Sequence, residues 1–447
     1  MRIHFIAIGG AIMHSLAIQL KQKGDLVTGS DDLIYEPAKS NLLKHELHPS
    51  KLGWSRENIS KKLDFVILGM HAKNNNPELL EAKKLNIPIF SFPEYIYKES
   101  IHKKRIVISG SHGKTTITSM ILHVLNENNI KADYLLGAKI DSLENLVYLN
   151  NNKILIVEGD EYFSSAIDQT PKFMHYNPDL LVVSGVEWDH INVFPTLDSY
   201  QNAFKKLLQK VTKKSGQIFY CGDDTFLSNF LKDNKCVHPY YLPDYNIKDN
   251  RFFLLDQQHH IPLNIFGTHN LYNLEAAKLI CLELGISKLD FYSSIKNFSG
   301  ADKRLTLIKE FSNNSSIYSD FAHSPSKVLA TINAVKELYP NRSLIACLQL
   351  YTFSSLNPEF IPQYADVFKN ADEVWVYVDQ NSLKQKSSLN LSTQFLIDVI
   401  NHENVFIIND KESLNCKFTR FKESNTNLLL MSSGNFSGLD IPSLFSN

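Results

Sequence analysis

A chain of 447 residues and 51.0 kDa is long enough for about three domains. Its make-up, 43% hydrophobic and 21% charged residues, is that of a globular protein and excludes a disordered, collagen-like or coiled-coil chain. With 46 basic and 47 acidic side chains the net charge is -1, which argues against a protein that lives on nucleic-acid backbone, and five scattered cysteines without a C-x-x-C pair point to a reducing cytoplasm.

Residues 2–8 (RIHFIAI) read as a short apolar strand, Gly9-Gly10 as a turn, and 11–23 as a helix ending at Gly24. His4 interrupts the apolar run that would otherwise mimic a signal peptide. No stretch approaches the roughly 20 apolar residues needed to cross a bilayer, so no membrane span is expected. A strand and its loop follow at 26–31, a strand at 64–69, a helix with proline in its first turn at 77–85, and a strand at 87–91. Strands alternating with helices predict a parallel sheet covered on both faces, and this first unit should end near residue 100, where the sequence turns polar. A second α/β unit opens with the strand 105–109 and continues through a helix and the strands 153–158 and 179–185. A third opens at 316–322 and adds strands at 343–350, 373–378, 405–409 and 427–433. The expected architecture is α/β in three domains: a Rossmann-like domain over 1–100, a P-loop-type domain over 101–302 and a second Rossmann-like domain over 303–447.

The strongest local signal is ISGSHGKTT (108–116), set between a strand and a helix as a phosphate-binding loop requires. Gly110 and Gly113 would let backbone N–H groups approach phosphates, and the helix N-terminus adds a favourable dipole. Lys114 would reach the β- and γ-phosphates and Thr115 would give its hydroxyl to Mg²⁺. The usual pattern has a glycine where Ile108 stands, so a coincidental glycine turn is the competing reading; the strand and helix favour the phosphate loop.

Glu158 ends the strand KILIVE, and His190 lies in EWDH (187–190), just after DLLVVSG. Both follow strand C-termini, the edge of an open α/β sheet where ligands bind. A carboxylate and a neutral imidazole suit Mg²⁺ or Mn²⁺, although a single histidine after a strand is more often a hydrogen-bonded loop residue. The turn IGGAIMH has Ala11 and His14 where a dinucleotide fingerprint needs glycine, which disfavours NAD. Gly9 and Gly10 could still open the helix towards a diphosphate, with Ser30 and Asp31 beside a ribose or base and His71 in the same set; a purely structural turn is equally open.

Together these motifs resemble the ATP-dependent Mur ligases of bacterial cell-wall synthesis. SGSHGKTT is similar to their G-T-[HN]-G-K-T-[TS] loop, which often lacks the same first glycine. EGDEY resembles the segment whose first Glu binds magnesium, and EWDH the segment whose His binds a second metal. GTHNLYN (267–273) resembles the motif that frames the adenine, KRL (303–305) the motif that offers an arginine, and SDFAHSP (319–325) D-D-[FY]-A-H-H-P. The resemblance implies an ATP site of Gly110, Ser111, His112, Gly113, Lys114, Thr115, Thr116, His269, Asn270, Asn273, Arg304 and Asp320, with His323 on the acceptor side. It implies Lys114, Glu158 and His190 as catalytic residues. Thr115, Glu158 and His190 would be metal ligands, joined by Lys205 if that lysine is carbamylated, as some members are fifteen positions after the metal-binding His. A lysine on the outer face of an amphipathic helix is the stronger reading of Lys205. Ser319, Ser324, Lys303, Leu350, Tyr351 and Ser355 depart from family patterns in the third domain.

Two stretches, GSDDLIYEP and residues 160–176, resemble the murein peptide ligase branch. That branch joins the tripeptide L-Ala-γ-D-Glu-meso-diaminopimelate to UDP-N-acetylmuramate. The resemblance thus implies a cytoplasmic enzyme of cell-wall recycling, monomeric or weakly dimeric, with ATP and Mg²⁺ (or Mn²⁺), UDP-N-acetylmuramate and a murein peptide as partners, and an acyl-phosphate intermediate. Two alternatives stand beside it: a ligase that adds L-alanine, and an inactive nucleotide-binding scaffold.

Overall fold

The computed structural model describes residues 1–138, 143, 145–188, 193–232, 234–257, 259–301, 304–379, 383, 391–421 and 424–445. They separate into two compact units. The first holds Met1–Glu187, Leu197–Tyr241 and Ala276–Ser287, the second Trp188–Thr196, Leu242–Glu275 and Lys288–Asn447. Among the described residues no helix is long and apolar enough to cross a membrane. All five cysteines are free.

The first unit contains two mainly parallel sheets and a two-stranded antiparallel one. In the smaller parallel sheet, Arg2–Ile6 runs between Leu26–Ser30 and Phe65–Leu68, with Ile89–Ser91 outermost. Ile3, Phe5 and Ile6 are buried, as expected of a strand covered on both faces. The register sets Ile6 opposite both Ser30 and Leu68, so three strands end together at the turn that precedes the helix Ala11–Gln22. That turn is tied to the second strand: the Gly9 N–H donates to Asp31 Oδ2 at 2.7 Å. A Cβ at Gly9 would sit 2.9 Å from the same oxygen and 3.1 Å from the Ile34 side chain, so a larger residue would push on this tie.

The larger sheet has the order Val237–Tyr240, Gln217–Cys221, Leu180–Val183, Lys104–Ser109, Ile154–Glu158, Asp133–Leu135, Val147–Tyr148; only the last pair is antiparallel. Its central strands are unbroken apolar runs, buried on both faces between helices such as Lys114–Glu127 and Leu197–Lys213. Ile108 lies opposite Glu158, and Ser109 opposite Val183. This register brings three strand ends together, and the loops leaving them carry the candidate site.

The second unit has a three-stranded antiparallel sheet, Tyr245–Lys248, Arg251–Asp256 and His259–Pro262. It also has a six-stranded sheet in the order Thr306–Glu310, Ser316–Asp320, Thr426–Met431, Ser343–Gln349, Glu373–Tyr377, Val405–Ile408. All neighbours in the latter are parallel except the first pair. Thr426–Met431 is buried along its whole length. Its alternate residues feed two cores: Leu429 packs with Val328 and Ile332 of the helix Pro325–Leu338, and Leu428 packs with Ile317 and Cys347 on the other face.

Candidate active site

The strand Lys104–Ser109 runs into Gly110, whose φ of 123° is a glycine conformation. A Cβ there would meet Ser184 Oγ and come within 2.8 Å of the Ser184 nitrogen. The loop is therefore pressed against the neighbouring strand end with no room for a side chain. Gly113, at φ 74°, begins the helix Lys114–Glu127; it supplies no side-chain cap, and the first turn holds no acidic residue. The first-turn N–H groups and the positive end of the helix dipole are thus left to an anion.

Lys114 Nζ donates to Gly110 O at 2.6 Å and to Glu161 Oε2 at 3.0 Å. Burial pulls its pKa down, but the carboxylates of Glu161, Asp160 and Glu158 outweigh that and hold it above the ordinary lysine value. The ammonium is therefore a fixed cation. Thr115 Oγ1 donates to Glu158 Oε2 at 3.0 Å, and the two residues are 7% and 5% exposed. A buried hydroxyl beside a buried carboxylate at a helix N-terminus is a hard-oxygen donor set, and it fits Mg²⁺. Ser111 Oγ accepts from the Glu187 N–H at 2.8 Å and donates to Glu187 O at 2.7 Å, while His112 Nε2 faces Glu187 Oε2 at 2.8 Å. Ser184 Oγ also donates to His112 O. The phosphate loop is thereby fastened to the segment that leads into EWDH. His190 and Lys303 lie outside the described residues. Thr116 is buried in the first helical turn. Lys205, on the helix Leu197–Lys213, holds its ammonium over the Phe226 ring, 5.6 Å from the centroid.

Glu161 and Tyr200 are the residues that sequence reasoning missed. Glu161 is 0% exposed and accepts from Tyr200 OH at 3.2 Å as well as from Lys114. The signal was available: a phosphate-loop lysine in a buried site needs a counter-ion, and the string EGDEY offers a second glutamate three positions after Glu158.

In the smaller sheet of this unit, Asp31 is buried at 3% exposure, and burial pushes its pKa up despite the bond from Gly9. Gly10 caps the helix Ala11–Gln22. Ser30 donates to Glu78, which is fully buried and also accepts from Asn58 Nδ2 at 2.7 Å and from Ser55 N at 3.0 Å. A cavity of about 670 Å³ beside the edge strand is lined by His4, Thr28, Lys51, Trp54 and Asn58 among others. His71 lies exposed in the turn after Phe65–Leu68.

In the second unit, His269, Asn270 and Asn273 lie in the helix Thr268–Glu283. Asn270 Nδ2 donates to Phe266 O at 2.9 Å, and both asparagines are buried. Arg304 lies 4.8 Å over the Phe321 ring. Both oxygens of Asp320 accept, from Leu305 N at 3.1 Å and from Thr331 Oγ1 at 2.5 Å, and His323 Nδ1 donates to Phe321 O at 2.8 Å. One of the departures from family patterns serves local structure: Ser355 Oγ accepts from the N–H groups of Tyr351 and Thr352 at 3.0 and 2.9 Å, closing their turn. Ser324 occupies the N-cap position of Pro325–Leu338, with no capping hydrogen bond from its side chain.

Two family descriptions match the chain: Mur ligase family, catalytic domain, over residues 2–103, and Mur ligase middle domain over 108–281. A UDP-N-acetylmuramate–L-alanine ligase of Caldicellulosiruptor bescii is 31% identical over 413 residues, 88% of this chain and 86% of its own length. The chain belongs to the Mur ligase family. It is accordingly an ATP-dependent ligase that forms amide bonds, of the kind that builds peptidoglycan. Among solved structures, the UDP-N-acetylmuramate–alanine ligase of Thermotoga maritima aligns with a TM-score of 0.73 at 21% identity, over 100% of this chain and 98% of that one. A murein peptide ligase of Psychrobacter arcticus aligns with a TM-score of 0.67 at 20% identity, over 100% and 99%. At these identities the two structures establish the fold, the α/β three-domain architecture of Mur ligases.

Proposed function

We propose that this Mur ligase joins the carboxylate of UDP-N-acetylmuramate to the N-terminal amine of a murein tripeptide, L-Ala-γ-D-Glu-meso-diaminopimelate, at the expense of ATP. The observation that carries the reading is the segment between Asp160 and Tyr176. It forms a hairpin, Phe163–Ser165 with Asp168–Pro171. Lys172 Nζ donates from its base to Asp160 Oδ2 at 2.7 Å and lies over the rings of Phe92 and Tyr162. Asp168 faces His175 Nε2 at 2.9 Å. These residues make up the peptide-ligase-like stretch of the sequence, and the hairpin leaves directly from the strand that ends in Glu158. The name carried by the Caldicellulosiruptor bescii relative favours a second reading, addition of L-alanine to the same UDP-sugar.

In this reading residues 1–100 take the UDP-sugar, 101–302 the ATP and 303–447 the acceptor. The backbone N–H groups of Gly110–Thr116 and the Lys114 ammonium hold the polyphosphate. Lys114 keeps its charge through the reaction because three carboxylates surround it. Thr115 and Glu158, with His190 as a further ligand, would hold a divalent cation, which would supply positive charge beside the phosphate oxygens. The donor carboxylate becomes an acyl phosphate, a good acyl donor, and the incoming amine then displaces phosphate. Arg304 and the segment His269–Asn273 bind the nucleotide, and His323 faces the acceptor.

Phosphate release, measured with ATP and UDP-N-acetylmuramate plus either acceptor, tests the proposal. A higher kcat/KM for the tripeptide than for L-alanine is expected, and the reverse order would move the protein to the alanine-adding reading. Lys114→Ala should lower turnover with either acceptor by about 100-fold or more.

A further inference from the structure

The hairpin Phe163–Pro171 brings together three side chains to which the ligase chemistry gives no task. Asp168 opens its second strand, His175 follows the turn Lys172–Met174 at its base, and Glu94 lies in the first turn of the helix Phe92–Glu99. One donor atom from each, two carboxylate oxygens and a ring nitrogen, lie within 4.8 Å of one another. Donors on one tetrahedral ion, each about 2.0–2.2 Å from it, are roughly 3.4 Å apart, so a shift on the order of 1 Å would gather these three around a single ion.

Each carboxylate is held in place by one of its oxygens. Glu94 Oε2 accepts from Ser91 N at 2.7 Å and from Ser91 Oγ at 2.8 Å. Asp168 Oδ1 accepts from Thr170 N at 2.9 Å. Bonds of this kind orient a carboxylate and leave its other oxygen to a metal. His175 is the member that local structure does not explain. Its Nε2 is shielded from solvent and lies 2.9 Å from Asp168 Oδ2, yet the contact is too far out of line to be a hydrogen bond. A protonated ring held there by the carboxylates alone would direct its N–H at Asp168, and this ring does not. A neutral imidazole with its lone pair beside two anions is instead the donor that a cation would use.

One imidazole and two carboxylates suit Zn²⁺. The nitrogen disfavours Mg²⁺ and Ca²⁺, which prefer oxygen throughout, and three protein ligands leave a fourth position to water. The two sides of the cluster already meet, because Lys172 at the hairpin base lies 5.6 Å over the Phe92 ring of the same helix. We infer that Glu94, Asp168 and His175 form a Zn²⁺ site that pins the hairpin Phe163–Pro171 to the helix Phe92–Glu99. The site uses no residue of the phosphate loop, and it does not depend on which acceptor the enzyme takes.

Calorimetric titration of the EDTA-stripped full chain with Zn²⁺, in excess Mg²⁺ and without nucleotide, tests the site apart from turnover. Asp168→Asn and Glu94→Gln each remove a charge but keep an oxygen for Thr170 or Ser91, so the hairpin and the helix keep their own bonds. Each of these variants, and His175→Gln, should weaken one Zn²⁺ site on the order of 10-fold or more. Hydrogen exchange locates that site: Zn²⁺ should slow exchange across 92–99 and 163–175 in the wild type and leave it unchanged in Asp168→Asn. A wild type that takes up no Zn²⁺, or whose exchange in these segments ignores it, overturns the inference. So does Zn²⁺ binding of wild-type strength in the variants, or a loss confined to His175→Gln, which would mark a histidine acting alone.

Discussion

Replacing Gly110 by alanine separates two costs that the phosphate loop combines. The first is conformational. A φ of 123° is open to glycine and strained for alanine, which costs about 1–3 kcal/mol. The second is steric. The new Cβ would lie 2.8 Å from the Ser184 nitrogen and against Ser184 Oγ. That nitrogen donates to Ser109 O at 3.0 Å, so the strand end must shift, at a further 1–3 kcal/mol or about that. Gly24 provides the control. Its φ is 95° and a Cβ there meets nothing within 4 Å, so alanine at Gly24 carries only the conformational cost, about 1–2 kcal/mol. Urea unfolding of the two variants side by side should place Gly110→Ala about 1–3 kcal/mol below Gly24→Ala, the steric cost, in the transition of the first unit. Because Ser184 also holds His112 O, Gly110→Ala should lose ATP affinity while Gly24→Ala keeps it. Equal stability of the two variants, with ATP binding intact in both, would refute the account of the loop as sterically closed.

The first sheet should carry a pH dependence through His14. Burial lowers the pKa of His14 from 6.5 against the opposing effect of Gly10 O; Nδ1 donates to that carbonyl at 2.9 Å, and Nε2 lies 3.3 Å from Asn41 Nδ2. The fold therefore holds a neutral ring, and below pH 6.5 or so the unfolded chain takes up a proton that the folded chain refuses. Stability should fall as pH drops through that value towards the folded-state pKa, and His14→Gln should flatten the fall; parallel wild-type and mutant profiles between pH 7.5 and 5 would contradict this. Lys205→Met should retain turnover within a few-fold, because its ammonium serves the Phe226 ring, a contact of about 0.5–1 kcal/mol. An inactive variant rescued by acetate would instead mark Lys205 as carbamylated.

The strands and the phosphate loop were legible because they are written in contiguous residues. KRIVIS, ILIVE and LLVV are apolar runs of strand length, and GSHGKTT lies between a strand and a helix. Glu161 was not legible as a partner of Lys114, because the two are 47 positions apart and meet only through the register of neighbouring strands. The antiparallel sheet Tyr245–Pro262 breaks the alternation of strand and helix on which the domain reading relied. A local mark was present: Asp249 and Asn250 join two of its strands with φ of 51° and 54°, the two-residue turn that these side chains tolerate. The hairpin Phe163–Pro171 was hidden for another reason. Its strands, FSS and DQTP, are short and mostly polar, so periodicity has nothing to report. His14 entered the sequence reading as a missing glycine, and only burial among Gly10 and Asn41 shows it as a titratable tie between two helices.

The place of Thr426–Met431 in the six-stranded sheet bears on how the chain is made. This strand lies between Ser316–Asp320 and Ser343–Gln349, yet it is the last of the six to leave the ribosome. Until it emerges, two flanking strands have no partner on their inner edges, and the apolar faces of Ile317, Cys347 and Val328 have no Leu428 or Leu429 to cover them. Synthesis at roughly 5–20 residues per second leaves the intervening residues in that condition for several seconds. The nascent second unit thus spends that interval as an open sheet, a natural substrate for chaperones, whereas every strand of the first unit's two mainly parallel sheets has already been made.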